Sequence, residues 1–417
     1  MQDDNKINLR DIVLKSLNTE LIKNKWILQQ CEICNCLFYS IKIFRTCGSD
    51  KCDKSEFVFN EVPNTFISIE KLQKRIELFF NKFDYTTEKP LHMLHLKNND
   101  LRVKNLESSL FTMAGVQILD DFLFHEDNLE NKKLKKIFIA QPSVRLRSIS
   151  KVGFLPGFYT SFINVCSEYV NPTVDEYIDD FFLWLKLIEE LLGLQEIKLK
   201  IKEKVVEWND RKSPTVQVFF YYMSMELGDA SFHYEFPQKT RKNIVISDIG
   251  FGLERLCICV NKNNRNFDLI GPYMQSVMGE YTIMDRTRTL VLLIGSNILP
   301  SDTPHGTKVR SLINDLSADD LGSFKWLELV SYFYAFWCGF IQLELSPLKI
   351  RDILRNEIYR QNNRKLAIAL KLNISNEELT IPTYEFVEHY INGSYGEIKS
   401  FDKLDAIIKN FFDKHAV

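Results

Sequence analysis

The sequence predicts an α+β fold in three parts: a zinc-ribbon-like N-terminal extension, a domain with a mainly antiparallel sheet, and a helical C-terminal domain. Short β-rich segments between about residues 85 and 260 surround one strongly amphipathic helical segment. Beyond about residue 275, long apolar periodicity replaces them. We therefore place the domains at residues 1–60, 61–275 and 276–417.

The composition is that of an ordinary globular chain. Its 417 residues are 45% hydrophobic, and 53 basic residues nearly balance 55 acidic ones. A formal charge of -2 provides no bulk positive field for nucleic acid or an anionic membrane, so RNA contact requires a local patch. The N-terminus lacks the apolar stretch of a secretory signal, and the most apolar segment, 327–343, is too short to span a bilayer. We expect a cytoplasmic protein that binds neither membrane nor DNA.

Four cysteines in the N-terminal extension have zinc-ribbon spacing. Cys31 and Cys34 form one close pair, and Cys47 and Cys52 form another after a β-like run. Two such pairs can present four thiolates tetrahedrally to a structural Zn²⁺, whose binding would offset the entropy of ordering so small a segment. Cys36 is then a bystander or an alternative ligand. The other interpretation is that the thiols are buried and bind no metal.

A glycine-rich segment, DIGFGLER, joins an apolar strand to an apolar helix. It runs from Asp248 through Gly250 and Gly252 to Arg255. Glycines here allow a ligand to approach the backbone, and an arginine in the first helical turn faces whatever lies over the strand end. Taken alone, the spacing favours a plain strand-to-helix turn with a solvent-facing arginine.

Read with its neighbours, this segment resembles motif 3 of class II aminoacyl-tRNA synthetases, in the form found in alanyl-tRNA synthetases. IFIAQPSVRLRSISKVGF resembles the stretch before motif 2, and DRTRTLVLLIGSNILPSDTPHGTKVR resembles the opening of the tRNA-recognition domain. CEICNCLFYSIKIFRTCGSDKC resembles the N-terminal extension of archaeal members. The resemblance implies a class II antiparallel sheet core in a divergent paralogue of the archaeal/eukaryotic-type enzyme. It would comprise the catalytic and tRNA-recognition portion without the editing domain.

The resemblance also implies roles for matching residues. Arg255 would hold the phosphates of ATP, which such enzymes use with Mg²⁺, and Asp248 would bind the α-ammonium group of alanine or a related amino acid. Arg145 matches a family arginine and is assigned to the catalytic neighbourhood, although a structural ion pair fits it equally well. Gly250 and Gly252 would line the substrate pocket.

Several positions depart from the family pattern. Gly157 stands where motif 2 has an arginine on the α-phosphate, and Ile163 stands where it has a glutamate. Losing one such contact costs about 2.7–4 kcal/mol of transition-state stabilisation. We therefore expect slow activation, which Gly157→Arg with Ile163→Glu would restore in part. Gly228 and Asp229 replace a tryptophan–asparagine pair, which is expected to create room and add a carboxylate to the substrate pocket.

The tRNA-binding positions differ too. Asp302 stands where the family has an asparagine that reads the acceptor stem, and a carboxylate repels phosphate and only accepts hydrogen bonds. A basic stripe including Arg351 and Arg355 is the candidate tRNA-binding face, although a solvated helix face explains the same spacing. Two functions stay open: an amino-acid ligase acting on tRNA or another acceptor, and a pseudoenzyme that binds an amino acid, adenylate, tRNA or protein partner.

Overall fold

The computed structural model divides the chain into two compact units. The first contains residues up to 285 together with 335–342, and the second contains 286–334 and the residues from 343 onward. The residues described are 8–53, 66–94, 110–120, 136–152, 157–208, 211–236, 244–262, 281–314, 316, 324–369, 375 and 378–390.

In the described part of the first unit, nine strands form one sheet, which confirms the predicted α+β fold with a mainly antiparallel core. The strands are β1 (Ile27–Gln30), β2 (Leu37–Ser40), β3 (Thr86–Thr87), β4 (Ile137–Val144), β5 (Ser161–Val170), β6 (Ile197–Trp208), β7 (Arg211–Tyr222), β8 (Met225–Phe236) and β9 (Ile244–Gly252). Their order is β1-β2-β6-β7-β8-β9-β5-β4-β3. Neighbouring strands are antiparallel except β3 and β4, which are parallel.

Helices follow the segments with helical periodicity. They are α1 (Leu9–Lys23), α2 (Ile69–Asn81), α3 (Val174–Leu192), α4 (Leu253–Val260), α5 (Tyr281–Gly295), α6 (Pro304–Asn314), α7 (Phe324–Cys338), α8 (Pro347–Ala369) and α9 (Thr383–Tyr390). Short 3-10 helices occupy Gly115–Leu119, Leu146–Lys151 and Glu378–Thr380. Among the helices that the structure describes, none combines the length and apolar character needed to cross a membrane.

One face of the sheet forms the core with α2 and α3. Trp184 of α3 stacks on Phe251 of β9 with ring centroids 4.6 Å apart, and its Nε1 donates to Ser167 Oγ at 2.8 Å. Phe80 of α2 lies 4.5 Å from Trp184 between ring centroids. Because side chains alternate along a strand, the residues between these apolar ones point to the opposite face. That opposite face is polar and carries the candidate site.

The cysteine-rich extension continues the central sheet. Its β1–β2 hairpin joins the sheet because β2 pairs with β6, with Tyr39 opposite Leu199. Phe38 of β2 is buried with the cysteine side chains of the extension. The extension therefore forms one edge of the sheet, with β1 outermost and β2 beside β6.

In the second unit, the predicted helical character is confirmed. Helix α8 lies against α6, where Gln361 Nε2 donates to the carbonyl of Arg310 at 3.1 Å and Lys365 Nζ donates to Asn314 Oδ1 at 2.9 Å. The apolar side of α8 buries Ile350 and Leu354 completely. Burial of one helix stripe is the usual source of helix stability in a packed domain.

Candidate active site

A cavity of about 100 Å³ lies on the polar face of the sheet in the first unit. Six of the residues that line it are those assigned from the sequence to catalysis or substrate binding: Arg145, Asp229, Asp248, Gly250, Gly252 and Arg255. Other lining residues include Phe158, Phe162, Asn164, Glu226 and Glu254. A larger open groove of about 980 Å³ between α1 and α3 contains none of these residues. The small cavity is therefore the candidate active site.

The antiparallel register explains how distant residues meet in this cavity. Strand β9 lies between β5 and β8, so Gly250 is opposite both Cys166 of β5 and Asp229 of β8. Two residues away on the same face, Asp248 is opposite Glu168 of β5. One stretch of β9 therefore brings carboxyl groups from three strands together.

Glycine at 228 does not open the pocket as the sequence suggested. A Cβ atom at Gly228 would lie 2.1 Å from the carbonyl oxygen of Gly250 and 2.7 Å from the Cα of Phe251. These atoms belong to the backbone of β9 and cannot move aside cheaply. The expected room is filled by the close approach of β8 and β9, so that expectation was wrong.

Arg255 lies in the first turn of α4, as predicted, but its guanidinium is partly held by the protein. Nε donates to the carbonyl of Gly157 at 2.8 Å, and Nη1 donates to the carbonyl of Glu226 at 2.6 Å. The guanidinium also lies over the Phe158 ring, 5.1 Å from its centroid. Two of its five N–H groups are thus engaged, and the Glu226 carboxylate lies 3.6 Å from Nη1, so part of the guanidinium charge is balanced before a ligand binds. The side chain is 20% exposed, so a bound anion could reach it.

Gly157, at the position of the absent motif 2 arginine, lies directly against Arg255. Its φ is +72°, and a Cβ atom there would lie 2.4 Å from Met225 Sδ and 3.0 Å from Arg255 Cγ. Both the left-handed backbone and the lack of space favour glycine.

Arg145 lies at the end of β4, where it borders the cavity. Its Nε donates to the carbonyl of Met113 at 3.0 Å, and its guanidinium lies over the Phe162 ring, 4.8 Å from the centroid. Burial lowers the pKa of Arg145, while nearby Asp229 acts in the opposite direction. An arginine in this setting keeps its charge, since its ordinary pKa is far above neutrality. It faces the cavity as a cation without an ion pair of its own in the described structure.

Carboxyl groups dominate the other side of the cavity. Burial, together with Asp229, raises the pKa of Asp248 to about 7, and Arg145 partly opposes the rise. Glu168 is completely buried, and burial and Asp248 raise its pKa well above the usual value. The Glu168 carboxyl interacts with Asp248 and with the Cys166 thiol. The pair therefore holds at least one proton at neutral pH, because two adjacent buried carboxyls cannot both ionise cheaply.

Sequence reasoning missed Asn164 and Glu168. Both lie in β5 on the cavity face, and the Asn164 side chain accepts from the Gly115 backbone N–H at 3.0 Å and donates to the Phe251 carbonyl at 3.3 Å. The available signal was the placement of polar residues at alternate positions within an otherwise buried strand. In a strand buried on both faces, such residues indicate a polar site.

The thiolate cluster of the N-terminal extension differs in one member from the predicted set. The Sγ atoms of Cys31, Cys34, Cys36 and Cys47 all lie within 4.8 Å of one another. Zn–S bonds of about 2.3 Å in a tetrahedral site place sulfurs roughly 3.8 Å apart, and Cys34 and Cys47 are 3.9 Å apart. This group fits a structural Zn²⁺. Cys52 is buried beside it but lies outside the group of four.

A lysine adjoins these sulfurs. Lys200 of β6 is 5% exposed, and its Nζ lies 3.3 Å from Cys47 Sγ and 3.7 Å from Cys34 Sγ. Burial acts to raise the pKa of Cys34, but hydrogen bonds from Cys36 and other thiols lower it to about 6. Burial and the neighbouring Cys34 raise the pKa of Cys36 to about 12. Metal binding requires deprotonated thiols, so the ammonium group and the lowered pKa of Cys34 favour it, whereas Cys36 would have to lose its proton on binding.

The residues assigned to tRNA binding lie in the second unit. Asp302 is almost fully exposed and forms an ion pair with Arg310 of α6. In α8, Arg351 and Arg355 both contact Asp352, at 2.9 and 3.5 Å. The carboxylate that should repel RNA is thus paired with a cation, and both arginines are paired with a carboxylate.

Comparison with known proteins supports the family resemblance. The chain is 25% identical over 338 residues to the alanine–tRNA ligase of Staphylothermus marinus, covering 76% of this chain and 33% of that protein. It is 26% identical over 376 residues to the alanine–tRNA ligase of Methanococcus aeolicus, covering 71% of this chain and 39% of that protein. The chain thus spans between a third and two fifths of these relatives. No family model matches.

Solved structures with local similarity include a pyrrolysyl-tRNA synthetase from Desulfitobacterium hafniense, with a TM-score of 0.37 and 13% identity. That similarity covers 49% of this chain and 71% of the synthetase chain. The chain is a divergent, partial homologue of archaeal alanine–tRNA ligases.

Proposed function

We propose that the chain activates a small amino acid with ATP in the cavity on the polar face of the sheet. The amino-acid carboxylate would attack the α-phosphate, forming an aminoacyl adenylate and releasing pyrophosphate. The observation that carries the proposal is the convergence of Arg255, Asp248 and Arg145 on one cavity beside the Gly250–Gly252 turn. Transfer to tRNA or another acceptor, in the cytoplasm, would follow.

The charges of the cavity suit both substrates. Asp248 offers a carboxylate to the α-ammonium group, while Arg145 and the unengaged N–H groups of Arg255 face anions. Lys202 and Lys204 of β6 add positive charge, because their ammonium groups lie over the Phe219 ring, 5.1 and 5.8 Å from its centroid. Phe219 is opposite Asp229 in the ladder, so these cations border the site. They would attract the phosphates of ATP, with Mg²⁺ bound to the nucleotide.

The proposed reaction is expected to be slow. Preorganised charge at the reacting phosphate is usually the largest contribution to such a rate, and Gly157 offers none. Arg255 cannot move to the missing position without releasing the carbonyls of Gly157 and Glu226. A Zn²⁺ ion held by the thiolate cluster would serve structure, since a four-sulfur site leaves no open coordination position.

A second candidate is a binding protein without efficient activation. The hydrogen bonds from Arg255 to the carbonyls of Gly157 and Glu226 favour this candidate, because they give Arg255 a structural role that does not depend on catalysis. Such a protein would bind ATP or an amino acid in the same cavity. It would differ from the first candidate only in turnover.

ATP–pyrophosphate exchange with the full chain, screened over amino acids, tests the proposal. Exchange above background that Asp248→Asn abolishes would support it, while Asp179→Asn on the exposed side of α3 serves as the matched control. Calorimetry with ATP should show that Asp248→Asn still binds nucleotide. Binding of ATP or of an amino acid without exchange would favour the binding protein. Failure to bind ATP would refute the first candidate, and failure to bind both ATP and every amino acid would refute both.

A further inference from the structure

Three carboxyl groups on the polar face of the sheet lack cationic partners. They belong to Glu168, Asp229 and Asp248, on the adjacent strands β5, β8 and β9. In the described structure, no lysine or arginine forms an ion pair or hydrogen bond with any of them. Glu168 is completely buried and lies opposite Asp248, with which it interacts through a side-chain hydrogen bond. Asp229 and Asp248 are therefore the members of this group that line the cavity and can reach a ligand.

Asp229 is held ready for a ligand by neutral donors. Gln217 Nε2 and Ser231 Oγ both donate to its Oδ2, the latter at 2.9 Å. No described group bonds to Oδ1. The carboxylate is therefore fixed in orientation with one oxygen available. Holding a carboxylate by side-chain donors in advance lowers the entropy cost of binding a cation.

Carboxyl groups outnumber cations in the lining of the cavity, where Glu226, Asp229, Asp248 and Glu254 face Arg145 and Arg255. Glu226 lies 3.6 Å from Arg255, and Glu254 accepts the backbone N–H of Ile163 at 3.0 Å. Asp229 and Asp248 then face Arg145 in the lining and Lys204 at its border, whose positive charge acts on both carboxyls. The preference for a ligand therefore depends on the oxygen of Asp229 that bonds to no described group, not on net charge.

We propose that the cavity selects a small amino acid with a second, side-chain ammonium group. This rests on the proposed activation of an amino acid in the same cavity. Asp248 receives the α-ammonium group, and Asp229, through Oδ1, receives the side-chain ammonium. Arg145 is left for the substrate carboxylate.

Cavity size limits the length of the substrate. A volume of about 100 Å³ suits a short side chain. The close approach of Gly228 to Gly250 leaves no space for a longer substrate side chain between β8 and β9. A short diamino acid therefore fits better than lysine or arginine.

Calorimetry on the full chain tests the proposal with L-2,4-diaminobutyrate, its neutral counterpart L-2-aminobutyrate, and alanine. A hydrogen-bonded ion pair predicts that the diamino acid binds about ten- to hundredfold more tightly than either neutral amino acid. Asp229→Asn should remove this preference, so that L-2,4-diaminobutyrate binds no more tightly than L-2-aminobutyrate. Glu235→Gln, at the exposed end of the same strand, is the matched control and should leave the preference intact.

The outcomes separate this proposal from the preceding one. Equal or tighter binding of the neutral amino acids, or a preference unchanged in Asp229→Asn, would overturn the proposed selectivity. Pyrophosphate exchange with alanine alone would overturn it while supporting activation. Selective binding of the diamino acid without exchange would support the selectivity and count against activation. If none of the three amino acids binds, the assignment of the cavity as an amino-acid site is wrong.

Discussion

Replacing Gly157 should destabilise the protein, even by alanine. Placing a residue with a Cβ atom in the left-handed region costs about 1–2 kcal/mol, and overpacking typically adds about 1–3 kcal/mol. The overpacking arises because the new Cβ would lie 2.4 Å from Met225 Sδ and 3.0 Å from Arg255 Cγ. We therefore expect Gly157→Ala to lower the free energy of unfolding by about 2–5 kcal/mol.

Gly193 provides the matched control. It has the same φ of +72°, with ψ at 160°, at the end of α3, but nothing lies within 4 Å of a Cβ atom there. Gly193→Ala should therefore show a backbone cost alone, about 1–3 kcal/mol, because this combination of φ and ψ is adopted almost only by glycine. The difference between the two variants, measured by urea denaturation, isolates the packing cost at Gly157. Adding Met225→Ala should reduce that difference, since it removes the nearest sulfur.

The same reasoning predicts that an arginine at position 157 will not restore activation. Gly157→Arg should lower stability at least as much as Gly157→Ala and leave pyrophosphate exchange at or below the parent rate. This reverses the expectation drawn from the sequence, where Gly157 was only a missing cation. Equal costs for Gly157→Ala and Gly193→Ala, or faster exchange in Gly157→Arg, would refute the reasoning.

Three further predictions concern the metal, the acid pair and the core. The parent protein should hold about one zinc per chain by metal analysis, and Cys36→Ser should lose it. If Cys36→Ser keeps the zinc and Cys52→Ser loses it, the four ligands predicted from the sequence, which include Cys52, are the correct ones. The pKa of Asp248 is raised from 3.8 to about 7 in the folded protein. Between pH 3.8 and pH 7, Asp248 therefore keeps its proton in the folded state and loses it in the unfolded state, so the free energy of unfolding falls as the pH rises through this range. Melting curves of Asp248→Asn should be flatter there, with higher stability than the parent near pH 8; an unchanged slope would contradict the assignment. Trp184→Ala should cost about 3–5 kcal/mol by denaturation, because this side chain is fully buried, and a loss below about 1 kcal/mol would contradict its place in the core.

Local patterns in the sequence were sufficient to predict the kinds of element and the turn at the site. Alternating apolar residues identified β9, helical periodicity identified α3, and DIGFGLER marked the change from strand to helix at Gly252. These signals are local, because each depends on neighbours within one element. The residues on either side of that turn do line one cavity.

Partners across strands and loops could not be predicted in this way. That Glu168 is opposite Asp248 depends on β5 pairing with β9, which no local pattern specifies. That the Gly157 carbonyl accepts a hydrogen bond from Arg255 depends on the path of a loop. The arrangement of the cysteines in two pairs along the chain indicated Cys52, not Cys36, as a ligand. The positions of the thiols in space depend instead on the turns between the cysteines.

The alternation along β9 has a consequence for how this protein can change during evolution or in a laboratory library. Asp248 faces the cavity, whereas Ile249 and Phe251 are completely buried on the other face. Substitutions at Asp248 would therefore alter ligand preference with little loss of stability. Substitutions at Ile249 or Phe251 would mostly yield insoluble protein. Deep mutational scanning of this strand should show tolerance alternating with a period of two. A lineage could thus have drifted in substrate while its core stayed recognisable.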